Sequence, residues 1–178
     1  MIPPGIPIDF GSSRIRPYHL DDLEDLLLQA DHPQVAASLR DLFPNPYTRD
    51  DGKQWLDLAT GSLASTCFAI DSSGNFAGGI GLMLSTGERR ITAEIGYWLG
   101  PGFWGRGIAT AAVSAFVPWV FEHHPEVIRL EAGIHHSNPA SARVLAKSGF
   151  QHEGTEVRSI RKGDRVLDQL MYVRFRDE

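Results

Sequence analysis

The chain has 178 residues, 42% hydrophobic and 22% charged, which suits one domain with one sizeable core. Its net charge of −5 provides no electrostatic footprint for nucleic acid, so no nucleic-acid partner is expected. Cys67 is the only cysteine, which excludes an intrachain disulfide framework and a cysteine-based zinc site and points to a reducing, cytoplasmic setting.

In chain order, residues 1–11 read as a loose N-terminus marked by Pro3, Pro4 and Pro7, without the basic start of a signal peptide. No apolar run reaches about 18 residues, so no transmembrane helix and no membrane partner are expected. "SSRIRPY" predicts a first strand. "HLDDLEDLLLQA" predicts a helix with Leu20, Leu23, Leu26 and Leu27 on one face and acids in its first turn. "HPQVAASLRDLF" predicts a second short helix, ended by "PNP". "TRDDGKQWLDLAT" predicts a third, with Thr48 as N-cap. The pattern then changes: "STCFAID" and "FAGGIGLMLST" read as strands around the turn "SSGN", and "ITAEIGYWLG" as another. "GIATAAVSAFVPWVF" has Ala109, Ala112, Val113, Phe116 and Val120 on one helical face, and Pro118 should kink its later part. "VIRLEAGI" is a strand. "NPASARVLAKSGF" is a helix with Asn138 as N-cap, Pro139 at its first position and Gly149 past its end. A hairpin closes the chain, "GTEVRSIR", "KGD", "RVLDQLMYVRF". The order predicts a mixed α/β domain, with antiparallel strands first and one βαβ unit across a glycine-rich turn.

That turn, "GPGFWGRGIAT", joins a strand to a helix. The first N–H groups of a helix lack internal partners and sit at the positive end of its dipole, so the turn predicts an anion site. Two frames compete. Gly100, Gly102 and Gly105 spell a dinucleotide fingerprint, with Glu131 as the acid that would meet a ribose. Against it, Pro101 stiffens the turn, about ninety residues precede it, and no further βαβ units follow. The second frame places a pyrophosphate on the amides of Gly105, Arg106, Gly107, Ile108 and Ala109.

In that second frame, "AEIGYWLGPGFWGRGIATAAV" resembles the central motif of the GNAT family of N-acetyltransferases, whose loop reads Q/R-x-x-G-x-G/A. Gly107 and Ala109 match its fourth and sixth positions; Trp104 replaces the Gln or Arg of the first. With "GYWL" before it, the loop is similar to the branch that includes ribosomal-protein N-acetyltransferases. "RLEAGIHHSNPASARVLAKSGFQHEG" resembles that branch's next motif and "DQLMY" its last strand. The resemblance implies a single N-acetyltransferase domain over residues 1–178. It implies a mostly antiparallel twisted sheet of about seven strands, with one parallel βαβ unit and helices on both faces. The co-substrate it implies is acetyl-CoA, with no metal. The acceptor is an amine, either a protein N-terminus or a small molecule, and the chain is a monomer or homodimer.

Direct attack of an amine on a thioester requires a base for the amine, a donor for the carbonyl and a proton for the leaving sulfur, without a metal or covalent nucleophile. Glu94 matches the family's glutamate and is the candidate base, expected to have a raised pKa beside Ile95 and Tyr97; Asp168 and Glu156 are alternatives. Asn138 and Ser141 would face the pantetheine, with Ser141 protonating the sulfur, because the position where many members carry a tyrosine is Val144 or Leu145 here. His135 and His136 lie nearby, but adjacent strand residues point to opposite faces, so at most one faces the cleft. The pantetheine would pair with backbone from Tyr97 through Trp98 to Leu99, where the family splays two strands and Gly96 and Gly100 allow a bulge or splay. The phosphates would sit between Trp104 and Thr110, with Arg106, Arg143 or Lys147 in reach. Arg40, Phe43, Tyr47 and Trp55 are expected acceptor walls, with Asp168 at the same end. Two other readings stand beside this one. They are a non-catalytic acyl-CoA-binding or sensor module on the same fold, and the dinucleotide-binding oxidoreductase.

Overall fold

A computed structural model describes residues 3–177. Its strands are β1 (Ile8–Phe10), β2 (Ser13–Arg16), β3 (Cys67–Ser72), β4 (Asn75–Leu84), β5 (Thr92–Leu99), β6 (Arg129–His135), β7 (Gln151–Lys162) and β8 (Arg165–Phe175). They form one sheet in the order β1-β2-β3-β4-β5-β6-β8-β7, and only the β5–β6 pair is parallel. The helices are α1 (Leu23–Ala30), α2 (Pro33–Ser38), α3 (Arg49–Thr60), α4 (Ile108–His123) and α5 (Pro139–Lys147).

The helices divide by face because β-residues alternate. On one face, Ile15, Phe68, Ile80, Leu82, Ala93, Ile95, Leu130 and Ile134 bury against α4 and α5 through Val113, Phe116, Val120 and Leu145. Phe116 is fully buried between Phe68 and Trp119; burying such a side chain stabilises by about 1.5–3 kcal/mol. On the other face, Ala69 and Phe76 meet Leu26, Ala30, Leu56 and Ala59 of α1 and α3, with Trp98 partly buried among them. Arg16 ties the entry to α1 onto this sheet, donating to Asp22 and Asp71.

Several local expectations hold. Thr48 and Asp51 form a reciprocal capping box at α3, Asn138 Oδ1 accepts from the Ser141 amide at α5, and Gly149 takes a φ of 81° past its end. Others need correction. The N-terminal stretch is not loose over its described part: β1 pairs with β2, Ile6, Ile8 and Phe10 pack on the core, and the Trp119 indole donates to the Pro4 carbonyl. This strand raises the count from the expected seven to eight; residues 1 and 2 lie outside the described residues. Leu20 sits in a 3-10 turn before α1 and is 63% exposed rather than on the apolar face. α2 ends at Ser38, five residues short of the expected end, because tertiary contacts draw the following chain out. α4 runs through Pro118 to His123; Pro118 lies on the exposed side, where water can take the carbonyl it leaves unpaired.

Candidate active site

β5 pairs with β4 in regular register from Ala93 to Leu99, so there is no bulge between them. Its pairing with β6 covers only Thr92, Ala93 and Glu94. Beyond Glu94 the two parallel strands diverge, and the peptide groups of Ile95 to Leu99 that point away from β4 face the gap. Splay, not a bulge, opens the sheet. Unsatisfied strand edges of this kind accept an extended amide-bearing chain.

At the end of β5 the glycines differ in backbone conformation. Gly105 and Gly107 have φ of 73° and 77°, which side-chain-bearing residues rarely adopt, whereas Gly100 has a φ of −64°. Gly100 is needed for a different reason: a Cβ there would lie 2.0 Å from Gln29 Oε1 of α1. Gly107 is the N-cap of α4 and supplies no side-chain cap. The first amide of the helix to find a backbone acceptor is that of Ala111, on the Gly107 carbonyl. Among the described residues, the N–H groups from Gly105 to Thr110 therefore make no backbone hydrogen bond, and they lie at the positive end of a 16-residue helix. This fits a diphosphate. Trp104, the departure from the loop pattern, has a structural use: its indole N–H donates to the Leu99 carbonyl at 2.8 Å, closing the loop back on β5. That carbonyl is thereby taken, and the Trp98 carbonyl points to β4, leaving Tyr97 as the free backbone of the edge. Arg106 is exposed, with its guanidinium 5.8 Å from the Phe103 ring. Beside the cradle lies a cleft of about 330 Å³ lined by Ser12, Ser13, Ser72, Ser73, Arg106 and Gly107. Ser12 and Ser73 sit in two hairpin turns, with Ser13 and Ser72 on the strand ends beside them, and the four carry no sequence pattern that would have marked them. Arg143 and Lys147 are exposed on α5.

The register places Glu94, Gly96 and Trp98 on the α1–α3 face, together with Glu131, Gly133 and His135 of β6 and Gln169 of β8. Glu94 points away from Ile95 and Tyr97, so the apolar surroundings expected for it are absent. Its carboxylate instead accepts from Arg40, in an ion pair whose two side chains are 26% and 61% exposed. A Cβ on Gly96 would meet no atom within 4 Å, so the floor beside Glu94 is open. The other walls sort differently from the sequence expectation. Phe43 packs edge-on against Trp98, with ring centroids 5.6 Å apart. Tyr47 is 7% exposed, belongs to the core, and has a phenol that burial pushes up to about 12. Trp55 packs on Tyr18. Asp168 projects to the opposite side from Gln169, and its carboxylate accepts from the Arg158 amide. Glu156 is exposed and pairs with Gln169.

Residues 39–41 straddle the gap. Lys162 of β7 donates to the Leu39 carbonyl at 2.8 Å and pairs with Asp41, while Arg40 reaches Glu94 of β5. Beneath them His135 is 7% exposed, with Nδ1 buried and unpartnered among the described residues. His136, its neighbour, is exposed and its ring nitrogen accepts from the Asp168 amide. Burial first, and then Lys162 and His136, hold the His135 imidazole below its ordinary pKa against the opposing pull of the Ala37 backbone and Asp41. The unfolded chain takes up a proton as pH falls through about 6.5, whereas the folded chain resists it. Stability is therefore full above that pH and declines below it, with His124, also lowered, contributing in the same sense. His135→Asn is expected to flatten the fall in Tm between about pH 7 and 5, measured by thermal melts across that range; an unchanged slope would remove His135 from the acid sensitivity.

On the α4–α5 face, Ser141 lies in the first turn of α5, with its amide held by Asn138. The Tyr97 hydroxyl is 2.8 Å from its Oγ. Glu94 and Ser141 thus approach the gap from opposite faces of the sheet. Among the described residues, no group of His, Cys, Asp and Glu could hold a metal ion, and no helix is long and apolar enough to cross a membrane.

A family model described as an acetyltransferase (GNAT) domain matches residues 13–151. The chain is 41% identical over 70 residues to the probable N-acetyltransferase YjcK of Bacillus subtilis, covering 39% of this chain and 38% of that protein, well under half its length. It is similar in structure to an acetyltransferase (GNAT family) from Bacillus anthracis, with a TM-score of 0.83, 22% identity and coverage of 96% and 98% of the two chains. It is also similar to RimL, a ribosomal alpha-N-protein acetyltransferase solved in complex with coenzyme A, with a TM-score of 0.78, 18% identity and coverage of 96% and 97%. At these identities the structural likenesses establish the fold.

Proposed function

The chain belongs to the GNAT acetyltransferase family, and from that premise we propose that it transfers the acetyl group of acetyl-CoA to a primary amine. The observation that carries this reading is the row of unpaired amides from Gly105 to Thr110, set at the mouth of the β5–β6 gap. Those amides hold the diphosphate, with Arg106 adding charge from the rim, and the open edge at Tyr97 pairs with the pantetheine. Acetyl-CoA supplies the thioester carbonyl and the thiolate leaving group. Glu94 takes the proton of the attacking amine, after the incoming cation displaces the exposed Arg40. Ser141 gives its hydroxyl proton to the departing sulfur and regains one from water, and Asn138 fixes the helix turn that carries it. Gly96 leaves room for the acceptor beside Glu94.

The acceptor reading is an exposed amine, either a protein N-terminus, as the name of RimL describes for that protein, or a small molecule. Phe43, Trp98 and the span from Leu39 to Asp41 line its approach. Free-thiol release from acetyl-CoA, measured against a panel of small amines and N-terminal peptides, tests both the activity and the acceptor. Turnover with at least one amine is expected. Acetyl-CoA binding without turnover across the panel would favour a binding or sensor module, and stabilisation by NAD but not acetyl-CoA would return the dinucleotide reading.

A further inference from the structure

Among the described residues, Tyr97 is the one tyrosine whose hydroxyl hydrogen-bonds α5. It leaves β5 beyond the last residue paired with β6 and bridges the gap, placing its oxygen 2.8 Å from Ser141 Oγ and 3.3 Å from the Ser141 carbonyl. Its ring packs against the α4–α5 core. The chemistry of the two hydroxyls decides which of them donates. A phenol is the stronger acid and its oxygen lone pair is delocalised into the ring, so it is the better donor and the poorer acceptor. Burial pushes the Tyr97 hydroxyl up to about 12, so it keeps its proton throughout the neutral range.

We propose that Tyr97 is a positioning residue for Ser141: its phenol donates to Ser141 Oγ, occupies one lone pair of that oxygen, and turns the Ser141 proton into the gap between β5 and β6. This rests on the transferase reading given above. A donor chain of this kind also polarises the second hydroxyl, which strengthens the hydrogen bond Ser141 offers to developing negative charge. Without the phenol, a serine in the first turn of a helix is free to rotate its hydroxyl onto a nearby backbone carbonyl, away from the gap. The Tyr97 proton does not leave the phenol; no bond of the substrate is made or broken by it.

The test is a double-mutant cycle read by steady-state thiol release. Tyr97→Phe keeps the ring and is expected to lower kcat about tenfold, with KM for acetyl-CoA within about twofold of the unmodified protein. Ser141→Ala is expected to lower kcat by at least as much. Adding Tyr97→Phe to Ser141→Ala is expected to cost nothing more, because the phenol acts only through the hydroxyl already removed. An unchanged kcat in Tyr97→Phe, a rise in KM alone, or losses that add in the double variant would each overturn the proposal. The unmodified protein failing to release thiol with any amine would overturn the transferase reading and this inference together; turnover with an inert Tyr97→Phe would overturn this inference alone.

Discussion

Glu94→Gln is expected to lower kcat by about 10²- to 10³-fold, within the usual contribution of a positioned general base, while acetyl-CoA affinity stays within about twofold. Glutamine keeps the shape and can still meet the acceptor, but it cannot take a proton. The two effects separate because of where Glu94 sits. It lies on the α1–α3 face, whereas the amide cradle is at the N-terminus of α4 and Ser141 is on the α4–α5 face. Losing the carboxylate also releases Arg40, whose side chain is 61% exposed, so the variant should lose little stability. Calorimetric titration with acetyl-CoA, alongside thiol release over a pH series, reads both quantities. A kcat within about threefold of the unmodified protein would transfer the base role to another group on this face, with Glu156 the next carboxylate to replace.

Gly78→Ala is expected to be the most damaging single-methyl substitution near the site. The added Cβ would lie 2.1 Å from the Trp98 carbonyl oxygen and 2.8 Å from the Leu99 Cα. Both are backbone atoms of the neighbouring strand, so no side chain can move aside; β4 and β5 must separate where Gly78 faces Leu99. Overpacking of this severity costs about 3 kcal/mol or more, which lowers Tm by roughly 6–12 °C for a chain of this size. The same separation displaces the strand that carries Tyr97 and Trp98, so acetyl-CoA affinity should fall with stability. Gly102→Ala is the contrast, since its Cβ would meet nothing within 4 Å, and a change within about 0.5 kcal/mol is expected. Equal melting temperatures for the two variants would show that the strand spacing at Gly78 relaxes without cost.

What could be read along the chain was local. The capping box at Thr48, the Asn138 cap and the glycine after α5 are short-range devices, each defined by three or four residues. The start of α4 was legible for the same reason, with Gly107 at its N-cap in a φ of 77° and Gly100 at −64°. β1 was not legible because three residues are too few to show alternation. Tyr47 was misplaced because an aromatic residue near the site and one in the core carry the same sequence signal; its burial is set by Phe43 and the α1–α3 packing.

The sequence by itself determined where α4 and α5 begin and which peptide groups at the start of α4 lack helix partners. Tertiary structure alone decided how these parts face one another. The β5–β6 pairing stops at Glu94, which opens the gap, and Glu94 and Ser141 lie on opposite faces of the sheet. Arg40 meets Glu94 across 54 residues, Tyr97 meets Ser141 across 44, and Lys162 meets Leu39 across 123. No local propensity encodes such contacts. They arise because burying both faces of one twisted sheet fixes the strand register, and that register fixes which distant side chains share an opening.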